Sequence, residues 1–442
     1  AAALLLGGCM VGPDFVPPAV KTPAAYRFAP AAAEEEPAAA PSWEYRYEAD
    51  GAAAAVNLKW WALFDDPVLY ELVTTALANN LEVKTAAARI EEARAALGFT
   101  RADQYPRIDI EGSAAVGNFL GISRSDTTDW AAFIAPTLSW EIDFWGRFRR
   151  ATEAARAELA ASGYGLRTIQ LALVTEVAAA YYRLLDFRRR LEIARKTLES
   201  RTETLDIIAQ RFEKGIVPEL DLNQAQIQKE IAAASIPQFE RQVAQSEHAI
   251  GVLLGSLPGP VRSGTPLERQ STPPQIPTGL PSSLLERRPD VAEANFRLQS
   301  QTARIGVAEA LRYPSISLTG LLGLASSELA DITREGGVWS AGAGLFGPLF
   351  DFEQSQMRVD IEEARTRQVL YFYENTVLTA FREVEDALVA IDTYQRQVES
   401  VTRQVAAARN ANELSWYRYE QGVTSYLEVL ETERQLFSAE LD

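Results

Sequence analysis

Two residue types are scarce enough in this 442-residue chain to limit its chemistry at once. It has one cysteine, Cys9, and one histidine, His248. A structural zinc site needs several Cys or His ligands and a disulfide needs two cysteines, so neither has a basis here. His248 sits in the polar, helix-like stretch Gln245-Ser-Glu-His248-Ala-Ile250, a poor setting for a catalytic triad. No GxGxxG or GxxxxGK[ST] motif occurs, and the expectation is a protein that is not an enzyme and uses no cofactor. Cys9 itself has a chemistry. Leu6-Gly7-Gly8-Cys9 matches a bacterial lipobox, in which small residues admit a peptidase and the thiol carries diacylglycerol. The competing reading is a buried structural cysteine in an ordinary leader. A second candidate group lies near the other end. Glu428 and Glu431 stand three residues apart, on one helix face, with Leu427 and Arg434 flanking them.

Charge narrows the partners. Sixty acidic residues against 43 basic ones give a formal net charge of −17, and no Lys/Arg cluster marks a nucleic-acid surface. Hydrophobic residues at 47% exclude wholesale disorder.

Proline and glycine divide the chain that must position these groups. Residues 1–8 read as the end of a signal peptide, and 9–55 as a lipid-anchored, Pro-rich extended segment. Residues 255–288 form a second Pro-rich linker. On either side lie two repeats, 56–254 and 289–442. Leu81–Ala115 falls on Pro289–Gly323 without a gap, with identities that include Arg89/Arg297, Gly98/Gly306, Tyr105/Tyr313 and Pro106/Pro314. Asp143-Phe144 falls on Asp351-Phe352, and, one residue out of step, Arg211-Phe-Glu-Lys-Gly215 falls on Arg418-Tyr-Glu-Gln-Gly422. Landmarks in the same order argue for an internal duplication.

Each repeat reads helix, two strands, a very long helix, turn, helix. The long helical regions are expected at 145–254 and 352–442. Val174, Val177, Tyr181, Leu184 and Leu191, like Val377, Phe381, Val384, Leu388 and Ile391, recur at spacings of three, four or seven, a coiled-coil seam. Residues 145–212 as one helix would span roughly 100 Å. Such rods must pack on one another and turn back at Gly215 and Gly422. Tyr-Pro closes the shorter helices, because the residue before proline is pushed out of the α region. Strands are expected within about 106–143 and 314–350, as Ile108–Phe119, Trp130–Trp140, Ser315–Ser326 and Val338–Phe350. Their lengths suit tilted transmembrane strands, and the polar stretches GISRSDTTD and SELADITREGG connect them. A soluble β-sandwich core is the competing reading. In lipid, though, an open sheet edge finds no water, so a sheet must close. Small bacterial barrels have eight strands, and four per chain imply that at least two chains share one barrel.

The lipobox, Trp60-Trp61-Ala-Leu-Phe-Asp-Asp-Pro67, Glu286-Arg-Arg-Pro-Asp290-Val-Ala-Glu-Ala and Gly422-Val-Thr-Ser-Tyr-Leu-Glu-Val-Leu-Glu431 together resemble the TolC-like outer-membrane factors, closest to the lipoprotein branch of OprM-like efflux channels. The resemblance runs over nearly the whole chain from Cys9. It implies a mainly α fold with a membrane β-barrel portion: long coiled-coil helices forming an α-barrel, and four strands per chain contributing to a shared trimeric twelve-stranded β-barrel. It implies a homotrimer in the bacterial outer membrane, lipid-anchored and extending into the periplasm, as the exit duct of a tripartite efflux pump. The partners would be a periplasmic adaptor and an inner-membrane transporter of the resistance-nodulation-division type. Members usually continue beyond the point matching Asp442, so a further C-terminal piece is expected.

In that family the turn before the last helix is a constricted periplasmic gate. The resemblance carries this role to Leu427, Glu428, Glu431 and Arg434, with Asp221 and Gln224 at the matching turn of the first repeat and Gly215 and Gly422 at the tips. Rings of carboxylates attract cations and resist anions, and Arg434 would bridge to a neighbouring acid. Family members often carry Asp where this chain has Glu. The alternative is that acids in a first helical turn merely favour the helix dipole.

Plainer roles are expected elsewhere. Trp60 and Trp61 pack the first helix. Trp130, Trp140, Trp145 and Trp339 divide between an interfacial girdle and core packing. Arg287 and Arg288 cap and pair at a helix start. Two other functions stay open on these residues, a type I protein-secretion channel and a periplasmic adaptor or scaffold lipoprotein with coiled-coil hairpins. The cargo, drug or metal ion, is not encoded here, since selection lies upstream in the transporter.

Overall fold

The computed structural model describes residues 10–20, 22–23, 25–28, 59–119, 124–270, 285, 287–326 and 337–442. Cys9, most of the first Pro-rich segment and residues 271–284 of the second lie outside them. The elements are α1 (Pro67–Asn79), α2 (Leu81–Ala102), β1 (Arg107–Phe119), β2 (Arg124–Ile142), α3 (Arg147–Glu213), α4 (Glu219–Leu253), α5 (Pro289–Ala310), β3 (Ser315–Ser326), β4 (Gly337–Phe346), α6 (Gln354–Glu420) and α7 (Tyr426–Leu441). Among the described residues no helix is long and apolar enough to cross a membrane.

The duplication is visible element by element. The short helices α2 and α5 have 22 residues each, and the long helices α3 and α6 have 67 each. Two compact units cut across the repeats, so each unit takes part of both.

One unit holds residues 86–167 and 284–380 and contains the sheet, in the order β1-β2-β3-β4, antiparallel throughout. Register sorts its side chains. Ile108, Ile110, Gly112, Ala114 and Val116 share a face with Ile134, Leu138, Trp140, Ile316, Leu318, Leu324, Trp339 and Leu345. The other face carries Arg107, Asp109, Glu111, Ser113, Thr137, Ser139, Glu141, Ser317, Thr319 and Ser340, with Phe133, Leu321, Val338 and Phe346 among them. β2 runs further than expected, because polar Arg124–Asp129 continue the pairing past the apolar stretch. β4 stops earlier, at Phe346, where Gly347 crowds Pro314 and Pro348 has no N–H to give the ladder.

The register also corrects one detail of the repeat. Arg107 faces Ser139 and Ser315 faces Phe346, so β1 maps onto β3 at 208 residues but β2 onto β4 at 207. The slip falls between β3 and β4. Asp351 is therefore in register with Phe144, not Asp143. Each acid still caps the helix that follows: Asp143 accepts from Phe148 N at 3.0 Å and Arg149 N at 2.9 Å, and Asp351 from Ser355 N at 3.0 Å. In the same unit Arg150, 1% exposed, holds the N-terminal segment by donating to Val11 O, Gly12 O and Asp14 Oδ1.

The second unit holds residues 23–85, 168–283 and 381–442. Asp66 is its buried hinge-pin. As N-cap of α1 it accepts from Val68 N (2.9 Å) and Leu69 N (3.2 Å). Its second oxygen takes Tyr181 Oη (2.9 Å), Gln270 Nε2 (2.7 Å) and Thr265 N (3.3 Å), which ties the inter-repeat segment to α3. Burial works to raise the Asp66 pKa, but these donors outweigh it and hold the carboxyl below its ordinary value. Trp61 is buried as expected, and Trp60 meets Trp61 and Phe64 edge-on.

Candidate functional site: the helix-turn tips and the membrane sheet

Both turns sit where glycine was expected. Gly215 and Gly422 share φ +71°, the left-handed region in which a Cβ is costly. Ile216 N donates to Arg211 O and Val423 N to Arg418 O, each at 2.9 Å, with the accompanying bonds Gly215 N to Phe212 O (2.8 Å) and Gly422 N to Tyr419 O (3.0 Å). These are paired Schellman ends, closing α3 and α6 identically. Beneath them Ile208, Ala225, Tyr419, Tyr426, Val429 and Leu430 form one apolar core, with Leu205, Val217, Leu222 and Trp416 against it.

Of the predicted gate residues, Leu427 is 62% exposed at the tip. Glu428 and Glu431 both start α7, but neither stands bare. Glu428 accepts from Arg418 Nη1 at 2.7 Å and from the Thr424 hydroxyl. Glu431 accepts from Gln435 and, bidentately, from Arg434 Nη2 at 2.8 and 2.9 Å. Those bonds, Gln435 first and Arg434 next, hold the Glu431 carboxyl below its ordinary pKa. Arg434 thus bridges to an acid of its own helix, and each carboxylate is offset by a guanidinium. In the first repeat, Asp221 and Gln224 are half-buried at the start of α4, and burial raises the Asp221 pKa.

Sequence reasoning missed the polar cluster under the tip. Glu433 on α7 accepts from Trp416 Nε1 at 3.2 Å and feels the charge of Arg201 on α3. Arg201 is 3% exposed, donates to Gln228 O at 2.7 Å and lies over the Phe437 ring. Burial raises the Glu433 pKa against the opposing pull of Arg201 and Trp416, and it lowers that of Arg201. The only signal in sequence was an ion-pair-capable Arg and Glu inside apolar seams, far apart in the chain.

The other predicted residues are placed as follows. Trp145 donates to Pro314 O at 2.9 Å and stacks on Tyr313, and Trp140 donates to Gln104 O at 3.1 Å, so both are packed and bonded. Trp339 is 78% exposed on the apolar face; the Trp130 side chain lies outside the described residues. Arg288 pairs with Asp290 at 2.6 Å, yet contributes no side-chain cap to α5.

A sheet apolar on one exposed face and largely polar on the other, in a chain otherwise built of long paired helices, defines a β-barrel membrane channel with a helical extension. Comparison with known proteins gives the family. The profile of the outer membrane efflux proteins matches residues 72–256 and 280–442. The toluene efflux pump outer membrane protein TtgC of Pseudomonas putida is 32% identical over 446 residues, covering 99% of this chain and 89% of that protein. The cation efflux system protein CusC of Escherichia coli is 31% identical over 438 residues, covering 99% and 91%. The solved outer-membrane channel OprN superposes with a TM-score of 0.86 at 31% identity, covering 98% of this chain and 94% of that one. This chain belongs to the outer membrane efflux protein family. Its fold is that of the TolC-like channels, mainly helical with four strands per chain given to a shared trimeric barrel, and it serves as an outer-membrane exit duct of efflux pumps.

Proposed function

We propose that three copies of this chain form a gated duct, fed in the periplasm by an adaptor and an inner-membrane transporter of the resistance-nodulation-division type, and anchored by a lipid on Cys9. The observation that supports it best is the four-stranded sheet with its exposed apolar face and its two edge strands, β1 and β4, each of which pairs on one side only among the described residues. Such a sheet is stable in lipid only when other strands close it.

The tips act as the gate. Leu427, Glu428, Glu431 and Arg434 line it from α7, with Asp221 and Gln224 from α4. The pairs Arg418–Glu428 and Arg434–Glu431 fix the acids within each tip, and separating the tips with adaptor contact opens the duct. Purified protein in planar lipid bilayers tests both parts. Conducting channels are expected from the wild type. Glu428→Ala with Glu431→Ala leaves two guanidiniums per chain without their acids, so cation preference falls or single-channel conductance rises. Unchanged conductance and selectivity would reject the gate, and absence of any conductance would reject the duct. The lipid is checked separately. Cys9→Ser is expected to abolish labelling by a radioactive fatty acid, and labelling that persists would remove it.

A further inference from the structure

The duplication shows where the two repeats part chemically. A shift of 208 residues carries α2 onto α5 and sets Ala96 on Arg304. A shift of 207 carries α3 onto α6 and sets Ala151 on Arg358 and Glu158 on Arg365. Where the first repeat has small or acidic side chains, the second has guanidiniums. These positions are not scattered. All of them line one recess of about 650 Å³, framed by α2, α3, α5 and α6 within the unit that contains the sheet.

Burial separates a floor from a rim. Ala154 and Ala308 are buried, and Ala93, Ala151, Ala155 and Val307 are half-buried, so the deepest part is apolar. Arg304, Arg358 and Arg365 are exposed and stand at the rim. Their charges are not equally free. Arg365 donates to Glu362 Oε1 at 2.5 Å, and Gln301 Nε2 donates to Glu362 Oε2 at 2.6 Å, so that acid is held and offset in place. Arg304 and Arg358 have no ion pair or side-chain hydrogen bond among the described residues. Glu158 is the one other acid of the lining. The recess therefore carries an excess of positive charge in a chain whose net charge is −17.

Its volume falls within the roughly 300–1,000 Å³ of small-molecule sites, which join an apolar lining to a few placed polar groups. A free guanidinium takes a carboxylate or sulfonate through two parallel N–H donors. An inorganic anion would leave the alanine floor wet, and a neutral apolar molecule would leave the two free arginines unused. We propose that this recess binds amphipathic organic anions, the apolar body on the alanine floor and the carboxylate or sulfonate on Arg304 and Arg358. Its use as a stop for cargo rests on the duct reading above, to which it adds a class of cargo; the binding itself needs only one chain.

Dansylglycine, a fluorescent amphipathic carboxylate, and its neutral amide test the site on the full chain in lipid nanodiscs, with empty nanodiscs subtracted. The carboxylate is expected to bind saturably and about tenfold or more tighter than the amide, the gain of a charge-assisted pair. Arg304→Gln with Arg358→Gln keeps long polar side chains and removes both charges. It should weaken the carboxylate about tenfold and leave the amide unchanged, whereas Arg304→Lys with Arg358→Lys should retain most of the preference. Equal binding of acid and amide, or undiminished carboxylate binding in the glutamine variant, overturns the site. Wild-type protein that conducts in planar bilayers yet does not bind the probe overturns the site and leaves the duct standing. Protein that binds the probe through these arginines but never conducts overturns the duct and leaves the site.

Discussion

At the residue scale, Asp66 and Glu433 are two buried carboxyls pushed in opposite directions. Asp66 collects five donors, so Asp66→Asn sets an amide against N–H and O–H groups that need an acceptor. The expected cost is about 2–4 kcal/mol, from a lost cap and orphaned buried donors, read as a lower thermal dissociation midpoint. Because its folded pKa lies below the ordinary 3.8, Asp66 stabilises above that value, and the contribution fades as pH falls from 3.8 through the folded value. The deficit of Asp66→Asn should therefore be full at neutral pH and shrink in acid; a deficit that does not change between pH 7 and pH 2 would contradict the assignment. Glu433 runs the other way. Its folded pKa lies above the ordinary 4.5, so its stabilising share is present below 4.5 and is lost as pH rises through the folded value. The midpoint of Glu433→Gln should gain on the wild type as pH climbs from about 4.5 to 8. A pH-independent difference would show that Glu433 is not held protonated by burial. Neither carboxyl's environment was legible from sequence. Asp66 belonged to a recognisable Trp-Trp-Ala-Leu-Phe-Asp-Asp-Pro run, but its partners Tyr181 and Gln270 lie more than a hundred residues away. The place of Glu428 and Glu431 at the tip could be read from Gly422 and Arg434 from its spacing, whereas the Arg418 guanidinium that meets Glu428 depends on how α6 meets α7.

At the scale of elements, sequence reading succeeded where a local rule acts alone. The Tyr-Pro steps, the proline-free runs and the two tip glycines locate the helices, because backbone sterics operate within a few residues. Strand ends were less legible. The apolar stretch marks what meets lipid, while pairing in β2 continues through Arg124–Asp129 on backbone hydrogen bonds that any side chain permits. The Asp-Phe landmark misled by one residue for a related reason: similarity aligned side-chain identities, and the ladder aligned hydrogen bonds. The tip glycines make a quantitative case. A Cβ at Gly215 or Gly422 meets nothing within 4 Å, so the cost of alanine is conformational alone, about 1–2 kcal/mol at each. Gly215→Ala and Gly422→Ala should give similar losses in thermal midpoint, and the double variant their sum. Clearly unequal losses would show that the two turns are not equivalent, against the matched hydrogen bonds that close them.

At the scale of the whole molecule, the deciding quantity is the number of chains around the channel. The sequence supplied four strands and a lower bound of two chains. The family raises this to three. Each chain brings two similar repeats, so three chains place six repeats around the ring. Equal co-expression of the wild type with a version bearing a charged C-terminal tail counts the chains directly, independently of how the gate works. Random mixing into trimers should give four electrophoretic species before heating, in proportions of about 1:3:3:1, collapsing to two single-chain bands after boiling. Three species at about 1:2:1 would mean a two-chain ring, and that would leave eight strands in the barrel instead of twelve.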